Sequence, residues 1–214
     1  MSGEATPESG FVAAELQEEF PGLRISYTVI ERGSGRSSRE LRDRLRQLSD
    51  RFSGPQAINL RHQPIPWAYR VFYRHIGLDP DAQRTPVEGL ALERMKHGAF
   101  RSRSVLDDAL TIAIIESGVA LRAFDADRLT EPPGIRPSAP GEELEGRPGE
   151  LPAGTLVIAD QRRPLALLFG ALAAGRGVQP RTSRTLLAGI GVGGVPEIAV
   201  GEALWVAAEI VERG

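Results

Sequence analysis

Residues 104–129 read S-V-L-D-D-A-L-T-I-A-I-I-E-S-G-V-A-L-R-A-F-D-A-D-R-L, and the fold class turns on them. Over 104–117 the run is apolar almost all round, through Val105, Leu106, Leu110, Ile112, Ile114 and Ile115. A helix without a polar face must be covered on every side, so this one is expected inside the molecule. Beyond Gly118, residues 119–124 predict a short strand, and Asp125 and Asp127 suit caps of the turn that follows.

Working upstream, residues 86–97 predict a helix with Pro86 at its first position, and 65–77 another, started by Pro66 and stopped at Gly77. Leu41, Leu45 and Leu48 recur at helical spacing within 38–52, whose alternating charges form a solvated face. Residues 23–30 alternate and are β-branched, which predicts a strand. Phe11, Leu16 and Phe20 are expected on one short helix ended by Pro21-Gly22, after a mobile lead-in over 1–10. Downstream, 131–154 is dense in Pro, Gly and Glu and reads as a loop region with one strand. Further strands are expected over 155–159, 165–169 and 185–192, and an amphipathic helix over 200–211. Helices and strands mix without strict alternation, which favours α+β over a doubly wound α/β sheet. The organisation expected is a lead-in and helix over 1–19 and a single domain over 20–214.

A chain of 214 residues suits one full domain. Its 24 glycines and 16 prolines imply many turns. The formal net charge of −2 excludes a globally cationic nucleic-acid binder, though not a local basic patch. There is no cysteine, which removes disulfides, thiolate metal sites and a cysteine nucleophile, and fits a cytoplasmic protein. The first ten residues, MSGEATPESG, do not read as a signal peptide. No apolar stretch approaches the roughly 18 residues of a membrane span, so no membrane partner is expected. Lys96 is the only lysine, leaving a single position for Schiff-base chemistry.

The common chemical motifs are weak. Gly189-x-Gly191-x-Gly193-Gly194 matches neither phosphate-loop spacing and reads as a glycine-bearing strand end and turn. His62, His75 and His97 show no metal-ligand spacing, and no G-x-S-x-G elbow is present. Asp107 and Asp108 are adjacent, so on a helix they point apart. Arg162-Arg163 and the pair Arg181/Arg184 suit phosphates, but surface arginines without a task are commoner.

An ordered set of residues goes further. Asp108, Thr111, Glu116, Gly118 and Arg122 precede Ala123-Phe124-Asp125-Ala126-Asp127-Arg128-Leu129. Then follow Arg136, Gly141-Glu142, Leu156-Val157-Ile158-Ala159-Asp160, Pro164-Leu165-Ala166-Leu167, Gly170 and Thr182. Upstream stand Pro66-Trp67-x-x-Arg70, Gly77-Leu78-Asp79-Pro80 and Glu88. In order and spacing the chain resembles the B3/B4 tRNA-editing domain of the phenylalanyl-tRNA synthetase beta chain, over roughly residues 20–212. The upstream elements resemble stand-alone members of that family.

The resemblance implies a layered α+β domain with mixed sheets and flanking helices. It implies a pocket that accepts the misattached aminoacyl end of tRNA, where water hydrolyses the ester without metal or other cofactor. Such a site needs a placed water, donors for the developing oxyanion and polar groups that select one side chain. Carried over residue by residue, Arg122, Asp108 and Thr111 are the catalytic candidates; Arg136, Glu142, Phe124 and Gly170 are the substrate-binding ones. Three positions depart from the family. Its histidine is Arg122 here, its asparagine is Thr111, and a glutamate before the last strand aligns with Gly177. An arginine cannot give up its proton in a protein, so Arg122 is a fixed cation suited to a carboxylate, a phosphate or an oxyanion. Two functions stay open. One is an RNA-binding protein that acts on aminoacyl-tRNA, as a trans-editing ester hydrolase. The other is a module that binds a free amino acid or small carboxylate without turnover, or that serves small-molecule metabolism. Phe124, Asp125, Asp127 and Asp160 also have structural readings, as core or turn residues, and Arg136 can pair with Glu142.

Overall fold

In the computed structural model, residues 6–52, 54–130 and 132–214 are described. Two four-stranded sheets combine with helices in an α+β fold. The elements are β1 (Glu8–Ser9), β2 (Phe11–Val12), α1 (Ala14–Glu19), β3 (Arg24–Ile30), α2 (Arg39–Arg51), α3 (Gly54–Asn59), α4 (Pro64–His75), α5 (Pro86–His97), α6 (Val105–Ser117), β4 (Ala120–Asp125), β5 (Gly134–Pro137), β6 (Leu156–Ala159), β7 (Pro164–Leu167), β8 (Thr185–Gly191) and α7 (Glu197–Arg213). The first sheet runs β1-β3-β8-β4 with every neighbour antiparallel. The second runs β2-β5-β6-β7, antiparallel except for the β2–β5 pair.

The 104–129 stretch forms the helix and strand expected of it. Ser104 caps α6 by accepting from the Asp107 amide at 3.1 Å, and Gly118, at φ 76°, ends the helix. Val105, Leu106, Ala109, Ile112, Ala113, Ile114 and Ile115 are all buried, because α6 packs against α7, α2, α5 and β4. β8 is buried at every one of its 7 residues, as a central strand covered on both faces must be. Gly189 in that strand is a packing device, since a Cβ there would stand 2.7 Å from a Val200 methyl of α7. The 189–194 glycines therefore do form a strand end and turn.

Two expectations are corrected. Phe11 is not helical: it belongs to β2, and α1 starts at Ala14. Residues 8–12 are tied into both sheets instead, with Glu8 opposite Tyr27 and Phe11 opposite Gly134. The chain crosses from one sheet to the other at Gly10, where a Cβ would come 2.1 Å from the Pro133 carbonyl oxygen. Strands of two residues carry too little pattern to separate from a helical stripe. Of the expected lead-in, residues 1–5 lie outside the described residues. α3 and the 3-10 turn Leu60–His62 were also not anticipated.

Tyr69 joins the layers. Its hydroxyl donates to the Ile190 carbonyl of β8 and accepts from the Ala120 amide of β4 at 3.1 Å. Burial raises its pKa above the ordinary phenol value, so it remains a donor. Among the described residues no helix is long and apolar enough to cross a membrane.

Candidate functional site

α4 presents Tyr69, Phe72 and Tyr73 on one buried face, the spacing that a helix places along one stripe. All three rings meet Phe169, just beyond β7, with centroids 6.0, 6.1 and 4.8 Å away. Phe20, at the end of α1, packs edge-on against Phe72 at 5.1 Å. This aromatic cluster backs a cleft of about 520 Å³, within the size range of small-ligand sites. Its walls come from α1 (Glu15, Leu16, Glu19), the end of α4 (His75, Ile76, Leu78), the second sheet (Leu156, Leu167) and the 168–170 turn.

That turn is held from two directions. Gln83 donates to the Phe169 carbonyl at 3.2 Å, and Arg122 Nη2 to the Gly170 carbonyl at 2.5 Å. Arg122 extends from β4 and is partly buried, with no carboxylate partner among the described residues. Burial pushes its pKa down from the ordinary arginine value, while the nearby Tyr73 phenol acts the other way. Tyr73 is fully buried, and its hydroxyl has no hydrogen-bond partner among the described residues. Its own pKa is raised by burial, against the pull of Arg122. A neutral phenol and a guanidinium, both short of acceptors, thus stand behind the cleft lining, against Phe169 and Gly170 respectively. The arrangement favours an oxygen-rich or anionic group.

The other candidates are dispersed. Gly170 lines the cleft. Phe124 is fully buried core. Arg136 and Glu142 do pair, in a fork with Nη1–Oε2 2.7 Å and Nη2–Oε1 2.5 Å. The Arg136 hydrogen bond keeps the Glu142 carboxyl below the usual range. The pair adjoins the cleft through Pro137, whose carbonyl accepts from Arg136 at 3.1 Å. Asp108, 1% exposed, accepts from the hydroxyls of Ser37 and Ser102, both at 2.6 Å, and from the Arg103 amide at 3.1 Å. Thr111 donates to the Asp107 carbonyl at 2.8 Å and lines a separate groove that shares no residue with the cleft. Arg122 and Gly170 are therefore brought together, and Asp108 and Thr111 lie with other groups. Sequence reading missed Phe20, His75, Gln83 and Phe169, which come from separate segments and share no motif.

No family model matches the chain. Curated proteins do. The chain is similar to phenylalanine–tRNA ligase beta subunits. It is 37% identical to that of Mannheimia succiniciproducens over 94 residues, which is 42% of this chain and 12% of the relative. With the Xanthomonas oryzae subunit it shares 41% over 101 residues, 45% of this chain and 12% of the relative. With that of Haemophilus influenzae it shares 36% over 88 residues, 39% and 11%. The matched segment thus spans about an eighth of these relatives' length, and the similarity supports a beta-subunit-like domain in this chain.

Proposed function

We propose that this chain is a B3/B4-like domain that receives the aminoacyl end of tRNA in the cleft and hydrolyses the ester. The observation that carries the reading is Arg122, a partly buried guanidinium without a carboxylate partner, hydrogen-bonded to the cleft wall at Gly170. Similarity to a tRNA ligase subunit supplies the substrate class. The amino-acid side chain packs on Phe20, Phe169, Leu156 and Leu167. The ester carbonyl is placed at the 169–170 turn, where free N–H groups of Arg122 stabilise the oxyanion. His75 is the lining side chain suited to take the proton of the attacking water. As the carbonyl re-forms, the ester C–O bond breaks and that proton passes to the departing ribose oxygen. Glu15 and Glu19, one helical turn apart on the rim, suit the α-ammonium group.

A second reading has its own support: Arg122 cannot exchange a proton, so the site also suits a bound carboxylate without turnover. One experiment separates the two. Wild type and Arg122→Ala are incubated with a total aminoacyl-tRNA pool containing mischarged species. Loss of one aminoacyl species is expected, slowed roughly 100-fold in the variant, as for removal of one oxyanion donor. No loss of any species overturns the hydrolase. A free amino acid that raises the melting temperature of wild type but not of Arg122→Ala then establishes the binding module.

A further inference from the structure

At the far end of α5 from the cleft lies a second groove, about 270 Å³, between the helix end, the 99–104 segment and α6. Arg94, Arg101 and Arg103 line it. Its carboxylates are occupied locally: Glu93 pairs with Lys96 and His97, and Asp107 accepts from the Ser104 hydroxyl. Two of the arginines are not. Neither the Arg101 nor the Arg103 guanidinium has a hydrogen-bond or ion-pair partner among the described residues, and both side chains are exposed. The two lie two residues apart between α5 and α6, and both line the groove. Arg94 is fixed by donating from Nη2 to the Ser49 carbonyl at 3.0 Å, while its Nε is buried with no partner among the described residues. Three guanidiniums with spare donors, none of them paired with the groove's two carboxylates, form a receptor for phosphate oxygens.

The position of the groove gives it a purpose. α5 starts three residues after Gln83, which meets the cleft, and the groove follows the helix from Leu90 to His97, about 6 to 17 Å along its axis from that end. A nucleic acid with its 3′ end in the cleft has its backbone within reach of the groove. We propose that Arg94, Arg101 and Arg103 hold the phosphate backbone of the tRNA whose aminoacyl end enters the cleft. The proposal rests on the functional reading above for the identity of the polyanion, and locates its contact on a surface of net positive charge in a chain of net charge −2.

The test is binding of unfractionated, deacylated tRNA by wild type and by Arg101→Ala/Arg103→Ala over a range of salt concentrations. Both side chains are exposed, so the variant is expected to fold, and its melting curve checks this. Its affinity is expected to fall roughly tenfold or more, and its log–log salt slope to be shallower by about 1.5, as two phosphate contacts are lost. A control, Arg162→Ala/Arg163→Ala, removes the same charge from the exposed 161–163 turn. An unchanged slope in the groove variant, an equal loss in the control, or no binding by wild type overturns the proposal. Hydrolysis of a small aminoacyl ester without nucleotides reads the cleft separately. The groove variant should leave it at the wild-type rate. If wild type spares the small ester while the tRNA results hold, the cleft reading fails and the groove stands.

Discussion

Replacing Asp108 by alanine tests whether this residue is structural before any substrate is at hand. Its carboxylate accepts three hydrogen bonds, from Ser37 on the approach to α2, from Ser102 and from the Arg103 amide. It therefore ties two connecting segments to the first turn of α6, where a negative charge is also favoured. Each bond to an ionised acceptor is worth about 1.5–3 kcal/mol. The full sum is not reached, because the two serine hydroxyls can turn elsewhere while the amide cannot. We expect a loss of about 3–5 kcal/mol, the cost of removing one partner from a buried charged network. At roughly 2–4 °C per kcal/mol for a chain of this size, the melting temperature should fall by about 6–20 °C. Asp108→Asn keeps the shape and one acceptor for the amide, and its NH2 group faces hydroxyls that can reverse to accept. It should lose only about 1–2 kcal/mol. Differential scanning calorimetry of the three proteins is the assay. A melting temperature for Asp108→Ala within about 1 °C of wild type refutes the reasoning. So does a stable Asp108→Asn protein that has lost ester hydrolysis, which would place the carboxylate at the chemistry.

Two further predictions concern buried charge. Arg70, 3% exposed, bonds Glu88 at 2.7 Å and Asp81 at 2.9 Å, and Arg70→Met strands the buried Glu88 at a cost of about 3–5 kcal/mol. In urea unfolding, Arg70→Met/Glu88→Gln should recover part of that loss; additive losses would show that the two are not coupled. Asp160 is fully buried, which works to raise its pKa, but the amides of Arg162 and Arg163 and the Thr130 hydroxyl, each at 2.9 Å, outweigh burial and leave it lowered. With the folded value below the unfolded one, its stabilisation is present above about pH 4 and disappears as the pH drops through the lowered value. Asp160→Asn should therefore be less stable at neutral pH and lose stability less steeply on acidification. Parallel stability curves from pH 6 to 2 would contradict this.

Local pattern carried the elements whose own residues decide them. The capping pair Thr85 and Glu88 and the glycine after His97 bound α5, and its expected ends match the observed ones. The dominantly apolar runs gave α6 and β8, since burial on most sides leaves few polar positions in the sequence. β1 and β2 were missed because two-residue strands exist through their partners, Tyr27 and Gly134 among them, and not through any alternation of their own. At the site, Arg122 and Gly170 are 48 residues apart and joined by one hydrogen bond. Thr111 is only eleven residues before Arg122 in number, yet it faces another groove, because a helix end and a turn lie between them.

By itself the sequence determined the α+β class, the buried helix at its centre and the likeness to a tRNA-ligase subunit. These rest on residue identity and short-range periodicity, which need no partner to be read. Only the tertiary structure decided that α1, α4 and the 168–170 turn enclose one cleft, that Tyr73 and Arg122 back that turn short of acceptors, and that Asp108 serves the frame instead of lining that space. A cleft is made by segments that meet through packing of side chains far apart in the chain, and the energy of that packing depends on shape and burial, which no local pattern records.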